Sequence, residues 1–221
     1  MTSLPGDPFL AAARGEHSSH TPVWFMRQAG RSLPEYRKIR GEGSILEAIK
    51  QPELAAEFTL QPVRRHNVDA AVLYSDIVVP PHAVGFGIDV APGTGPVASQ
   101  PLRTRDDFAR LRPLETSDVS YVVETVKILA NELKVPLLAF AGAPFTVASY
   151  LIEGRPSKTY QNTKYMMMRM YLISMAFPSW VNEWLKKSGF HYAALADACQ
   201  GLIRGFMAHR VSPSNKISRP Y

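Results

Sequence analysis

Cysteine is nearly absent from this chain. Cys199 is the only one among 221 residues, so an internal disulfide is excluded and no cysteine cluster exists for a structural zinc. The first residues, MTSLPGDPFLAAARGEH, lack a charged segment followed by an apolar one, and no apolar run reaches the length of a membrane span. An exported or membrane-embedded protein is therefore not expected, and the corresponding expectation is a cytoplasmic one. There is also no glycine-rich phosphate loop, no GxGxxG after a strand and no metal-ligand spacing. Neither a cofactor nor a metal is expected. Internal repeats and low-complexity stretches are missing as well.

What is present reads as an ordinary globular chain, 46% hydrophobic and 20% charged. The net charge of +6 is unevenly placed: residues 1–168 hold 18 Lys and Arg against 17 Asp and Glu, and residues 169–221 hold 7 against 2. The excess of positive charge thus belongs to the end of the chain, so a phosphate-tracking face and a nucleic-acid partner are not expected.

The order of elements alternates in the manner of a parallel α/β fold. Val23 to Met26 is a short apolar strand. Ile45 to His66 has helical spacing, with apolar Ile45, Leu46, Ile49, Leu54, Ala55 and Phe58, and an interruption is expected near Pro52. Asp69 to Val79, DAAVLYSDIVV, reads as a strand buried on both faces, completing a βαβ crossover. Residues 81–101 are rich in Gly and Pro and read as a loop or short hairpin over one mouth of the fold. Asp106 to Leu111 and Asp118 to Leu133 follow as helices, with Ser117 or Asp118 as N-cap. Pro136 to Ala141 is a third strand, ending in Gly142-Ala143-Pro144.

Three motifs each follow directly on a predicted strand. PVWFMRQAGRSLPEYR (residues 22–37) sets Arg27 and Arg31 four residues apart around Gly30. Two rigid guanidinium forks around a glycine suit a ligand rich in carboxylates. YSDIVVP (residues 74–80) ends a strand on Asp76, an ionised group that is costly in apolar surroundings without a partner. FAGAPFTVASYLIEG (residues 140–154) is the third.

These motifs, with LQPVRRHNVDAAVLYSDIVVP (residues 60–80) and GPV (residues 95–97), resemble uroporphyrinogen decarboxylase over about residues 8–164. That resemblance implies a (β/α)8 TIM barrel, whose strand-end loops share the face that carries the active site. It also implies cofactor-free decarboxylation of the four acetate side chains of uroporphyrinogen III to coproporphyrinogen III in haem biosynthesis, and a homodimer. Asp76 corresponds to the aspartate that holds the ring nitrogens and steadies a cationic intermediate. Its plainer reading is a helix cap after the strand. Arg27 and Arg31 correspond to substrate-binding arginines, with Gln28 between them as a hydrogen-bonding residue. An arginine's high pKa makes it a poor general acid, so carboxylate binding is the role assigned. Tyr150 matches a cleft tyrosine, and equally reads as an aromatic packed on the first turn of a helix.

Other polar residues have plainer readings. Arg64, Arg65 and His66 complement a helix C-terminus, His82 is a solvated loop residue, and Cys199 is an incidental thiol. Residues 1–164 are expected to supply roughly the first half of the barrel, and residues 165–221 to form an unmatched basic tail, helical in part. That tail is too short for four further βα units at roughly 30 residues each. A reading-frame change near Lys164 or a naturally shorter variant would account for it. Two other readings stay open: a non-catalytic fragment that binds anionic tetrapyrroles weakly, and a corrinoid-related methyltransferase of the same fold, disfavoured because its zinc needs His and Cys ligands.

Overall fold

The computed structural model of the chain describes residues 7–25, 33–41, 43–104 and 106–174, with side chains through residue 168. Arg27, Gln28, Arg31 and Cys199 lie outside the described residues. Helix α1 spans Pro8–Ala13, α2 Pro34–Arg40, α3 Ile45–Ile49 and α4 Pro52–His66. Strand β1 (Ala71–Val72) leads to α5 (Val79–Ala83), and the hairpin β2 (Ile88–Ala91) and β3 (Gly95–Ala98) follows. Two short 3-10 segments, Asp106–Arg110 and Thr116–Val119, precede α6 (Ser120–Glu132), β4 (Leu137–Leu138), α7 (Pro144–Glu153) and α8 (Gln161–Ser174). No helix among the described residues is long and apolar enough to cross a membrane.

The interruption expected at Pro52 falls there. Ser44 caps α3, its hydroxyl accepting the Leu46 N–H at 3.1 Å, and Pro52 opens α4 where its missing N–H costs nothing. Helix α4 ends as its basic last turn leads one to expect, with Arg64, Arg65 and His66 against the C-terminal dipole and Asn67 left-handed at φ 49°. Arg64 pairs with Glu57 and Glu132, and Arg65 with Glu35. Helix α4, which buries Ala55, Ala56, Phe58, Thr59 and Leu60, packs on α6, which buries Val122, Val126 and Leu129.

Strands are shorter than the apolar runs suggest. β1 and β4 pair in parallel, Ala71 opposite Leu137 and Val72 opposite Leu138, so the crossover runs from β1 through α5, the hairpin and α6 to β4. The strand expected over Asp69 to Val79 stops because its backbone donors are taken elsewhere. Leu73 still donates to Leu138 at 3.0 Å, but the Tyr74 N–H turns to Thr59 Oγ1 at 3.0 Å and the Val78 N–H to Asp76 Oδ1 at 3.0 Å. Pro80 and Pro81 then fit α5 and not a ladder. Val23 to Phe25 are not a strand either. The Val23 N–H goes to the Asp69 carboxylate at 2.7 Å and its carbonyl accepts the Asp69 N–H at 2.9 Å, so a side chain substitutes for the neighbouring strand. Residues 81–101 do form the expected hairpin, β2 antiparallel to β3, with Gly93 at φ 73° in its turn.

Two helix expectations need correction. The segment from Asp106 is 3-10 and not α-helical. Neither Ser117 nor Asp118 caps α6: its N-cap is Val119, with no side-chain cap, and Glu115 instead caps the preceding 3-10 segment Thr116–Val119 in a reciprocal capping box with Asp118. The Asp118 carboxylate also takes a bidentate pair from Arg112, both contacts 2.7 Å. The Arg112 guanidinium first, and then the Glu115 N–H, hold its carboxyl down at about 2. A carboxyl depressed in the fold stabilises above its unfolded pKa of about 3.9 and loses that contribution as pH falls toward the folded value. Melting curves of the chain and Asp118→Asn should therefore differ at neutral pH and converge between about pH 4 and about pH 2. A difference of unchanged size at the acid end contradicts this assignment.

Candidate active site

Because β1 and β4 run parallel, the segments leaving them, residues 73–78 and 139–143, emerge at the same end of the pair. They meet. A Cβ built on Gly142 would overlap Val147 Cγ2 and lie 2.9 Å from Ile77 Cβ, so the Gly142 backbone is pressed between the residue after Asp76 and the first turn of α7. Asp76 is half-buried in this seam. Its Oδ1 accepts the Val78 N–H at 3.0 Å and its carbonyl the Val79 N–H at 3.2 Å, a local turn that fixes the carboxylate's direction before α5 begins. The plain reading of Asp76 as a capping residue is thus present in part: α5 itself starts at Val79 with Val78 as N-cap, and Asp76 shapes the turn before it.

Tyr150 lies in the middle of α7 rather than on its first turn, half-buried against the core. Among the described residues its hydroxyl has no hydrogen-bond partner. Phe140 and Phe145 flank the Gly142 seam, 41% and 47% exposed, and Phe145 tilts against Tyr160 at 5.6 Å between ring centroids. The segments that follow the two strands therefore carry a half-buried carboxylate, Asp76, and two exposed aromatic rings, Phe140 and Phe145. Arg27, Gln28 and Arg31 cannot be placed among them, since they are outside the described residues.

Two side chains that sequence reasoning did not single out hold the Asp76 segment. Thr59 is buried in α4, where its hydroxyl donates to the Ala55 carbonyl at 2.8 Å and accepts the Tyr74 N–H. Tyr36, on the first turn of α2, shares a buried 2.9 Å hydrogen bond with the Tyr74 hydroxyl. The rings of Tyr36 and Tyr74 both contact Phe58, with centroids 4.7 and 4.9 Å away. The available signal for Tyr36 was its spacing of three from Leu33 across a proline at the helix start. Nothing in the sequence marks Thr59. His82, expected to be a solvated loop residue, is half-buried on α5, and its ring Nδ1 donates to the Ile88 carbonyl at 2.7 Å.

Comparison with known proteins adds to this geometry. The family profile described as uroporphyrinogen decarboxylase (URO-D) matches residues 4–179. Uroporphyrinogen decarboxylase of Streptomyces avermitilis is 61% identical over 160 residues, which cover 72% of this chain and 45% of that protein. The Salinispora tropica protein of the same name is 58% identical over 168 residues, covering 74% and 45%. One from Mycobacterium sp. (strain KMS) is 55% identical over 166 residues, covering 75% and 47%. The chain thus spans just under half the length of these relatives. Among solved structures, a methyltransferase from Methanosarcina mazei superposes with a TM-score of 0.59 over 90% of this chain and 57% of its own, at 21% identity, a likeness of fold alone.

Proposed function

The chain belongs to the uroporphyrinogen decarboxylase family, and from that premise we propose that residues 7–174 carry the tetrapyrrole-binding half of a decarboxylase site with Asp76 at its centre. Family membership and the fold-level match agree with an α/β chain of the (β/α)8 class at partial length. The observation that carries the reading is the seam between Ile77 and Gly142, because it brings two strand-end loops together at the end where such folds place their chemistry. The substrate we propose is uroporphyrinogen, whose four acetates are decarboxylated without a cofactor, in a cytoplasmic protein whose full-length form pairs as a homodimer.

In the reaction, a proton added to the ring carbon beside an acetate makes that pyrrole a cation. The bond from the acetate methylene to its carboxylate breaks, the electron pair flows into the cationic ring, and carbon dioxide leaves. Protonation of the methylene and loss of the ring proton then give the methyl group. The protein's task is to stabilise the positive ring, and a carboxylate facing the pyrrole N–H groups does so. Asp76 fits that role because its direction is fixed by its own turn and by the hydrogen bonds that hold Tyr74. Arg27 and Arg31 bind the substrate carboxylates, Gln28 adds a hydrogen bond, and Tyr150 lines the cleft. We further propose that family-like sequence gives way to a basic tail beyond the end of the family match at residue 179, later than the Lys164 boundary expected from the sequence, with α8 running through Lys164 without a break.

The clamp has its own test. Arg31→Ala should weaken binding of an octacarboxylate porphyrin about tenfold at low salt, roughly 1.4 kcal/mol. Because exposed charge interactions are screened, the loss should shrink as ionic strength rises. Equal affinities for the variant and the unmodified chain at low salt refute the clamp.

A further inference from the structure

Thr59 lies in the middle of α4 and is 1% exposed. A threonine inside a helix ordinarily satisfies its hydroxyl by donating to the carbonyl four residues back, and Thr59 does so, to Ala55 at 2.8 Å. That bond holds the hydroxyl in one rotamer and strengthens its oxygen as an acceptor. The oxygen accepts the Tyr74 N–H at 3.0 Å. Tyr74 follows Leu73, whose N–H still reaches the Leu138 carbonyl beyond β4, and precedes Asp76 by two residues. The Asp76 turn then closes on itself, with the Val78 N–H on Asp76 Oδ1 and the Val79 N–H on the Asp76 carbonyl. Those two bonds orient the carboxylate within its own turn, whereas the bond to Thr59 ties the backbone entering that turn to a fifteen-residue helix. Resting on the function proposed above, we infer that Thr59 is a positioning residue, whose buried hydroxyl sets where the Asp76 carboxylate stands.

Other contacts hold the same segment by different means. The Tyr74 ring packs on Phe58, 4.9 Å between centroids, and its hydroxyl meets Tyr36 at 2.9 Å and Arg40. These anchor the far end of a side chain, with two rotatable bonds between it and the backbone. Ile77 is pressed against Gly142 on the other side of Asp76. All of them survive a change confined to the Thr59 hydroxyl, so such a change reports on the backbone bond.

The test separates positioning from stability. Thr59→Val keeps the side chain's shape but leaves the Tyr74 N–H buried without its acceptor, and should lower the melting temperature. The distinguishing readouts are local. Hydrogen exchange at the Val78 amide, whose bond closes the turn, should accelerate about tenfold more than at the Leu129 amide in α6, because the turn loosens separately from the helix core. Binding of uroporphyrin I, a fluorescent octacarboxylate, should weaken about fivefold after correction for the folded fraction. Thr59→Ser keeps the hydroxyl and should restore both, with a melting temperature still lowered by its lost methyl. Equal acceleration at Val78 and Leu129, an unchanged affinity in Thr59→Val, or a Thr59→Ser variant that restores neither readout overturns the inference. If Thr59→Val does not fold, the Tyr74 amide of the unmodified chain decides: exchange as slow as at Leu129 supports the bond, and fast exchange removes it. If the unmodified chain does not bind uroporphyrin I, the functional reading fails, while the amide comparison still decides whether Thr59 holds the turn.

Discussion

Asp76→Asn, in a chain completed to the family's full length, is expected to lower decarboxylation by roughly a hundredfold or more, the scale of losing one preorganised electrostatic partner of a transition state. The substitution is informative because it is nearly isosteric. Asn keeps an acceptor oxygen for the Val78 N–H now bound at 3.0 Å, so the turn into α5 survives. What disappears is the negative charge, and with it the attraction for a protonated pyrrole. The melting temperature should hardly move while turnover collapses. Turnover close to that of the unmodified enzyme would remove the cation-stabilising role from Asp76, and a parallel loss of melting temperature would reduce the residue to its capping function.

Gly142→Ala should be among the most damaging single changes available in the described residues. Its Cβ would overlap Val147 Cγ2, on a helix that starts two residues away, and lie 2.9 Å from Ile77 Cβ on the facing loop. Neither neighbour can yield easily: Val147 is buried, and Ile77 sits between the Asp76 turn and α5. Overpacking of this kind costs about 1–3 kcal/mol, and a clash with branched carbons on both sides belongs at the upper end. The strain also falls one residue from Asp76, so porphyrin binding should weaken beyond what the fraction of folded protein explains. Equilibrium denaturation and porphyrin titration of the same sample measure both effects. A loss below about 0.5 kcal/mol, the range of ordinary surface substitutions, contradicts the close packing of the seam.

How much of this was legible beforehand depends on where the backbone bonds go. The division of α3 from α4 follows from Pro52, and the end of α4 from its basic last turn and Asn67, because these are local effects. The placing of the Asp76 and Gly142 loops at one end was also readable, since it needs only that their strands run parallel. Strand length was not. The apolar run from Asp69 to Val79 is buried as expected over much of its length, but its ladder is cut when Thr59, 15 residues earlier, captures the Tyr74 N–H. A hydroxyl on a distant helix leaves no trace in the periodicity of the strand. The same holds for Val23, whose N–H finds the Asp69 side chain 46 residues on, and for the tyrosine pair, 38 residues apart. The Glu115–Asp118 capping box was not legible either, because its residues depart from the usual Ser or Thr followed three positions later by Glu or Gln.

We propose that these 221 residues hold a tetrapyrrole-binding half-site without a complete catalytic pocket. Exposed Phe25, Phe140 and Phe145 leave apolar surface in water. The most direct measurement is to express the chain alone, titrate it with uroporphyrin I, and assay the same preparation for conversion of uroporphyrinogen to coproporphyrinogen. The predicted result is saturable porphyrin binding that weakens with salt, abolished turnover, and a broad thermal transition. A sharp cooperative transition accompanied by measurable coproporphyrinogen would contradict the claim, because the residues present would then complete both the core and the pocket.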